Sequence, residues 1–198
     1  SKIPESRLER VLEVKSEVFE LKNFSDFKQH HKIIIAGSSY APEEDLLLSL
    51  IKRNEDSYKL LIAPHHISQK RLDDIHQKFY RFSPILLSDW KSTKREDLKN
   101  HKVLIIDTIG QLSKIYRLCD LALVGGGFNG SLHNAFEALV YCKPILFGSK
   151  YGKDGNWDEL IKKGLAYTVN NEGDFISQTN AFLKDNKAKA FQSNCKSY

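Results

Sequence analysis

The chain has 198 residues, of which 41% are hydrophobic and 28% charged, a composition typical of a soluble globular protein with a core of its own. Its net charge of +5 is mild and its lysines are spread along the chain, which argues against a nucleic-acid partner. The charge fits an anionic small molecule, an acidic membrane surface or simply a solvated basic surface. No apolar run approaches the roughly 20 residues that span a bilayer, and no signal peptide opens the sequence, so we expect a soluble, cytoplasmic protein.

Three cysteines, Cys119, Cys142 and Cys195, show no close pairing and no metal-ligand spacing. Cys119 and Cys142 lie in apolar stretches, so we predict buried thiols in a reducing compartment. The chain contains no Met, even at residue 1, and we therefore expect it to be part of a longer protein.

Apolar periodicity predicts an amphipathic helix over residues 6–21, a polar connector over 23–31 and then a β-branched strand that starts at Lys32. The later segments alternate between apolar runs typical of strands and amphipathic runs typical of helices. Strand candidates lie at residues 32–36, 58–63, 84–87, 103–106, 121–124, 145–147 and 165–169. Helix candidates lie at residues 42–54, 68–80, 111–119, from Leu132 onward, 154–163 and 173–183. Residues 90–102 are predicted to form an exposed basic loop and residues 186–198 a polar tail.

This alternation predicts an α/β fold, a Rossmann-like doubly wound parallel sheet of about six strands. We divide the chain into a lead-in helix and connector (1–30), a Rossmann-like domain (31–185) and a C-terminal tail (186–198). Ligands of such sheets bind outside the carboxyl ends of the strands, so the turns that follow the strands should converge. The polar turns are Gly37-Ser38-Ser39, Pro64-His65-His66, Asp107-Thr108 and residues 125–134.

The stretch from Leu121 to Gly148 has the clearest local signature, a strand followed by three glycines, Gly125, Gly126 and Gly127. Glycines at a strand end let another backbone or a ligand come close. A helix opening near Leu132 would point its free N–H groups at the same place. The pattern predicts an anion or nucleotide site, and a tight strand-to-helix corner is the alternative.

Other motifs limit the kinds of site that the chain can form. The His65-His66 pair has no third ligand at metal spacing, so we predict no metal site. The remaining roles for the pair are contact with an anionic ligand or a hydrogen bond within its loop. The sequence lacks a Walker A loop and a nucleophile elbow, and its glycine turn matches G-x-G-x-x-G poorly, which disfavours a dinucleotide-dependent dehydrogenase. Glu137 lies one helical turn after His133, where a carboxylate suits two ribose hydroxyls or complements a helix dipole.

These residues resemble the donor-binding half of a GT-B glycosyltransferase, and more narrowly a Kdo (3-deoxy-D-manno-octulosonic acid) transferase. The matching pieces occur in the family's order over about residues 33–165. They are Ala36-Gly37-Ser38-Ser39 with Glu43-Glu44, Ala63-Pro64-His65-His66, Asp107 to Leu112, Val124 to Phe128, His133 to Glu137, and Phe147-Gly148. The commoner family pattern has Pro-Arg-His where this chain has Pro64-His65-His66, and Gly-Gly where it has Ser131-Leu132.

The resemblance implies transfer of Kdo from CMP-Kdo to a lipid A precursor in lipopolysaccharide core biosynthesis, with inversion and with no metal or other cofactor. It implies two Rossmann-like domains across a cleft, of which this chain would be the second. The acceptor, the catalytic base and the membrane contact would belong to the first domain. We therefore assign no catalytic residue to this chain and expect it to be inactive alone. The full-length protein is expected at the cytoplasmic face of the inner membrane.

Within this chain we predict that Gly126, Gly127 and the helix start near Leu132 hold the phosphate of the donor. Asn134 and Glu137 would bind ribose or sugar hydroxyls, and Ser38 and His66 would line the opposite wall. The complete predicted nucleotide-sugar site is Ser38, Pro64, His65, His66, Gly126, Gly127, Phe128, His133, Asn134 and Glu137, without a metal ligand.

Two alternatives stay open at this point. One is another GT-B transferase or a nucleotide-sugar epimerase that uses a UDP-sugar. The other is a non-catalytic Rossmann-like module whose pocket has lost its ligand.

Overall fold

A computed structural model describes residues 5–152, 157–184 and 187–197 of the chain. Seven parallel strands form one sheet, where about six were predicted, and the doubly wound α/β class is confirmed. The strands are β1 Lys32–Ser39, β2 Tyr58–Pro64, β3 Pro84–Leu86, β4 Val103–Ile105, β5 Leu121–Val124, β6 Ile145–Gly148 and β7 Tyr167–Val169. Their order in the sheet is β3-β4-β2-β1-β5-β6-β7.

Helices cover the sheet between successive strands. They are α1 Glu5–Ser16, α2 Phe24–Lys28, α3 Ala41–Arg53, α4 Gln69–Lys78, α5 Leu112–Ile115, α6 Phe136–Leu139, α7 Trp157–Lys162, α8 Glu172–Leu183 and α9 Lys187–Ser197. Short 3₁₀ turns occur at Tyr80–Phe82, Arg95–Asn100 and Tyr116–Leu118. No helix in the described ranges is both long and apolar enough to cross a membrane.

The core is the sheet itself. Ile33, Ile34 and Ile35 of β1 are fully buried, as expected of a β-branched run with helices on both faces. The neighbouring strands β2 and β5 are buried in the same way, and β1 is hydrogen-bonded to both of them. The central strand is therefore held rigidly at the middle of the molecule.

The predicted helix over residues 6–21 is too long, because α1 ends at Ser16. Arg117 explains where it ends. Its guanidinium donates hydrogen bonds to the carbonyl oxygens of Val14 at 3.2 Å and Glu17 at 3.0 Å, which satisfies groups that a continued helix would have used.

The predicted connector and the predicted basic loop are also more ordered than expected. Residues 23–31 contain α2, whose Phe27 is fully buried. Residues 90–102 contain a 3₁₀ turn, and its Leu98 is buried, as is Trp90. The Trp90 ring lies 5.7 Å from the Phe27 ring, so two segments that look polar in sequence pack together through their few apolar side chains.

The predicted polar tail forms α9, and its Phe191 is buried against Phe182 of α8. Cys195 on this helix forms a disulfide with Cys142, 53 residues away, so the prediction of a buried Cys142 thiol is wrong. The pairing was missed because the two residues meet only after α9 folds back. Cys119 is a free buried thiol, and burial raises its pKa to about 12.

Candidate active site

The strand order reverses direction at the boundary between β1 and β5. Strands β2, β4 and β3 lie on one side of β1, and β5, β6 and β7 lie on the other. In a doubly wound sheet this point of reversal, at the carboxyl ends of the strands, is the usual position of a ligand crevice. Ser38 and Tyr40 border this crevice on the β1 side, and the glycine turn borders it on the β5 side.

The three glycines are required by backbone packing at the strand ends. A Cβ on Gly125 would lie 1.9 Å from the carbonyl oxygen of Ser38, and a Cβ on Gly127 would lie 2.5 Å from the amide nitrogen of Gly148. Ser38 itself has a left-handed backbone with φ of 51°, at the bulge where β1 shifts its register with β2. The glycines thus have a structural cause that is independent of any ligand.

The carboxylate of Glu43 anchors the glycine turn through hydrogen bonds to backbone amides. One oxygen of Glu43 accepts a hydrogen bond from the amide of Gly126 at 3.1 Å, and the other accepts one from the amide of Tyr40 at 3.0 Å. Burial raises the pKa of Glu43, while these two backbone N–H groups lower it. The Gly126 amide already has an acceptor, so its predicted contact with phosphate stays a prediction and would need this bond to open.

The prediction of a helix opening near Leu132 is wrong. The amides of Asn129 and Ser131 both donate to the carbonyl of Gly126, which closes the chain into turns. The helix that follows, α6, begins only at Phe136 and has four residues, too few for an appreciable dipole. Gly126 and Gly130 have φ of 88° and 90°, values that turn the chain away from a helical path.

Four side chains form what we call the ring cluster: Tyr40, His65, His66 and His133. The Tyr40 hydroxyl lies 3.0 Å from Nε2 of His133. The His65 ring lies 4.3 Å from the His133 ring, 4.2 Å from the His66 ring and 5.0 Å from the Tyr40 ring, measured between centroids. Loops that leave β1, β2 and β5 thus contribute to one surface, as the predicted convergence requires.

The ring cluster is electrostatically unusual because it contains three imidazoles and no carboxylate. Burial lowers the pKa of His65, and the neighbouring His66 lowers it further. Burial also lowers the pKa of His133, with His65 and His66 as smaller causes. Both shifts favour the neutral imidazole, although His65 and His66 are exposed to solvent.

Asn134 and Glu137 form a second polar pair beside the cluster. The Asn134 amide donates to a Glu137 carboxylate oxygen at 3.2 Å, and its own oxygen accepts from the amide of Phe136 at 3.2 Å. Tyr116 is buried next to this pair, and burial raises its pKa, with Glu137 as a smaller cause. The Glu137 carboxylate is half-buried and oriented, and it can accept hydrogen bonds from ligand hydroxyl groups.

The other predicted site residues differ in how accessible they are. Pro64, Gly126 and Gly127 are buried, whereas Ser38 and Phe128 are half-buried. Sequence reasoning missed Tyr40 as a member of the site and gave Glu43 no role in it. A signal for Glu43 was present, since it is the third residue of α3, where an acid can bond back to the residue that caps the helix. The described residues contain no group of His, Cys, Asp and Glu that could hold a metal ion.

The sequence matches no protein-family model. Among curated proteins, it is 30% identical over 150 residues to a bifunctional glycosyltransferase/methyltransferase from Fusobacterium nucleatum, covering 73% of this chain and 22% of that protein. It is 28% identical over 145 residues to the 3-deoxy-D-manno-octulosonic acid transferase of Chlamydia trachomatis, covering 71% and 32%. The corresponding values for the Chlamydia muridarum transferase are 26% over 171 residues, covering 84% and 39%.

Among solved structures, the C-terminal CMP-Kdo binding domain of WaaA from Acinetobacter baumannii superposes with a TM-score of 0.71 over 97% of both chains, at 16% identity. The chain has the fold of a GT-B domain and is related in sequence to Kdo transferases. Anabaena HepE in complex with UDP also superposes on this domain, with a TM-score of 0.60 at 14% identity, over 90% of this chain and 48% of that one. The Kdo-transferase-like domain spans between 22% and 39% of the length of the three relatives named above.

Proposed function

We propose that this domain binds CMP-Kdo, as the donor half of an enzyme that transfers Kdo to a lipid A precursor in lipopolysaccharide synthesis. The observation that carries the proposal is the convergence of the Asn134–Glu137 pair and the ring cluster at the carboxyl ends of the strands, where the strand order reverses between β1 and β5. Further support comes from the two Chlamydia relatives, which are Kdo transferases, and from a fold shared with a domain described as CMP-Kdo binding.

In this proposal the oriented carboxylate of Glu137 accepts hydrogen bonds from ribose or sugar hydroxyls, with Asn134 holding it in place. The phosphate lies near the glycine turn and the imidazoles, on the Ser38 side of the crevice. A phosphate ester is the leaving group, so this domain would stabilise developing negative charge without a metal.

The rest of the reaction belongs outside this chain in our proposal. A separate acceptor domain would supply the lipid A precursor site, the membrane contact at the cytoplasmic face of the inner membrane and the base that removes the acceptor's proton. The reaction would invert the anomeric carbon. The isolated domain would then bind the donor but transfer nothing.

Thermal unfolding of the domain with and without CMP tests donor binding. At a CMP concentration about a hundredfold above Kd, binding adds about 2.7 kcal/mol to the free energy of unfolding, a rise of several degrees in Tm. Glu137→Ala is expected to abolish the rise, because the hydroxyl acceptor is lost. Glu96→Ala, at an exposed position far from the crevice, is the matched control and keeps the full rise. No rise at millimolar CMP contradicts the proposal.

A second candidate is a domain that uses a UDP-sugar. It is favoured by the likeness to HepE in complex with UDP and to a UDP-N-acetylglucosamine 2-epimerase, which superposes with a TM-score of 0.56 at 14% identity. The same unfolding experiment with UDP in place of CMP separates the two candidates. A well-folded domain that responds to neither nucleotide would instead be a binding module without a nucleotide ligand.

A further inference from the structure

The ring cluster offers negative charge a group of imidazoles in place of a permanent cation. None of its four members is Arg or Lys, although the related family pattern has Arg at the position of His65. Three imidazoles replace it, with ring centroids 4.2 Å and 4.3 Å from His65. These rings are within Coulomb range of one another, so each proton that one accepts opposes protonation of the next unless an anion is present.

We propose that His65 and His133 together form a proton-dependent contact for an oxyanion of the donor, so that the ligand binds together with a proton. This inference rests on the proposed function, since the oxyanion is the phosphate or the carboxylate of a CMP-activated sugar acid. The lowered pKa values of His65 and His133 agree with it, because they favour the neutral ring in the free domain, which has a proton still to gain.

The groups around the two imidazoles favour this reading. Tyr40 faces both rings from the β1 side, and His66 faces His65 from the β2 loop. Glu43 of α3 is the carboxylate that contacts Tyr40, through the backbone amide of that residue. Both of its oxygens accept hydrogen bonds from backbone amides. Among the described residues, the charged groups that act on the pKa values of His65 and His133 are other imidazoles and not carboxylates, so an incoming anion is not repelled there by an acid.

The Tyr40–His133 hydrogen bond can survive protonation. When His133 is neutral, its Nε2 can accept the proton of the Tyr40 hydroxyl at 3.0 Å. When His133 is charged, Nε2–H donates and the hydroxyl oxygen accepts, because a tyrosine hydroxyl has both capacities. The ring is thus held in place in both states, and protonation changes its charge and not its position.

The sign of the pH effect follows from linkage. A bound oxyanion raises the pKa of the imidazoles above the lowered values of the free domain. Affinity is therefore highest below the pKa of the free domain and falls as pH rises from there through the pKa of the bound state. For one proton taken up and one unit of pKa shift, Kd weakens about tenfold in total across that range.

The probe must not titrate in this window. The methyl ester of CMP suits, because its phosphodiester keeps a single negative charge, whereas the phosphate of CMP itself gains a proton near pH 6. Isothermal titration in two buffers of different ionisation enthalpy counts the protons taken up on binding. We expect uptake of up to one proton per ester bound, and none for cytidine, which carries no phosphate. Free Kdo, which carries only the carboxylate, tests the other oxyanion: uptake with either probe supports the proposal and names the group.

Variants separate this role from mere packing. His65→Arg places a permanent charge at the same site, so we expect affinity for the ester to be about tenfold higher at about pH 8 and proton uptake to fall. His65→Gln is expected to lose uptake while remaining folded, since His65 is exposed. His76→Gln, at an exposed position on α4, is the control and should behave as the wild type. Binding with unchanged affinity across the pH range and no proton uptake overturns the inference alone. Binding of none of the probes at any pH overturns the proposed function and the inference together.

Discussion

The two ends of the parallel strands use their charged groups differently. At the amino ends of the strands, which we call the amino edge, Lys59 is fully buried in β2. It donates to the carbonyl of Lys99 at 2.9 Å and lies above the ring of Phe27. Lys102 donates a hydrogen bond to His31 at 2.9 Å. Burial lowers the pKa of His31 to about 4, and the charge of Lys102 is the second cause. At the carboxyl ends of the strands, the carboxyl edge, His65 and His66 are by contrast exposed and have no acidic partner within the described part of the chain.

Asp120 shows the same contrast. It precedes β5 at the amino edge, where it accepts from the amide of Ile33 at 2.8 Å and pairs with Lys28 and Lys32. Glu137, after β5 at the carboxyl edge, is oriented by Asn134 and still half-exposed. The polar groups of the amino edge therefore close the fold, whereas those of the carboxyl edge are arranged in an open crevice where a ligand can reach them.

Gly125→Ala would disrupt the carboxyl edge most strongly. The added Cβ would lie 1.9 Å from the carbonyl oxygen of Ser38, so the ends of β1 and β5 must separate, and we expect a loss of about 3 kcal/mol or more together with loss of CMP binding. Chemical denaturation measures the first effect and the CMP-induced Tm rise the second. Gly130→Ala is the control, because nothing lies within 4 Å of the added Cβ. Its φ of 90° is unfavourable for alanine, so we expect a loss of stability of about 1 kcal/mol. Equal losses for the two variants would contradict the packing argument.

Cys195→Ser would test whether the amino edge depends on the link to α9. Closing a loop of 53 residues constrains the unfolded chain, so loss of the disulfide is expected to cost about 2–4 kcal/mol under non-reducing conditions and to leave CMP binding unchanged. Urea denaturation of the variant, beside wild type with and without a reductant, measures the cost. If the reductant destabilises wild type and the variant equally, the disulfide has no such role.

Lys59→Met gives the clearest pH signature. Burial lowers the pKa of Lys59 from 10.5 to about 8, with Lys102 as a smaller cause. Between these values the unfolded chain binds more protons than the folded one, so this lysine makes stability increase as pH rises from about 8 to about 10.5. Lys59→Met should remove about 3 kcal/mol of that increase, seen as a flatter profile of unfolding free energy against pH. Lys52→Met, on the exposed face of α3, should keep the wild-type slope.

Much of the fold could be predicted from local sequence. The β-branched run of β1 and the apolar run of β2 are strong strand signals, and their alternation with helices indicates a parallel sheet whose carboxyl ends meet. The convergence of His65 and His133 follows from that topology alone. The family resemblance added the expected donor, which no single turn could specify.

What could not be predicted depends on contacts between distant residues. Glu43 binds Gly126 across 83 residues, and Cys142 meets Cys195 only after α9 packs against α8. The turn before α6 reads as a helix start because its later residues are helix formers, yet the carbonyl of Gly126 binds the amides of Asn129 and Ser131 first. Tyr40 was missed because its partners in the ring cluster, His65 and His133, are far from it in sequence.

The bond from Glu43 to Gly126 also bears on how the domain folds. Glu43 lies in the first turn of α3, after β1, and Gly126 lies in the turn after β5, so the bond can form only when β1 and β5 are already paired. Closing a loop of this length has an entropic cost that strand pairing must offset first, and contacts of this kind form late in folding. The glycine turn therefore becomes ordered after the sheet on which it rests. A chain in which β5 has not joined β1 has no crevice, and donor binding would report on completed folding of the sheet.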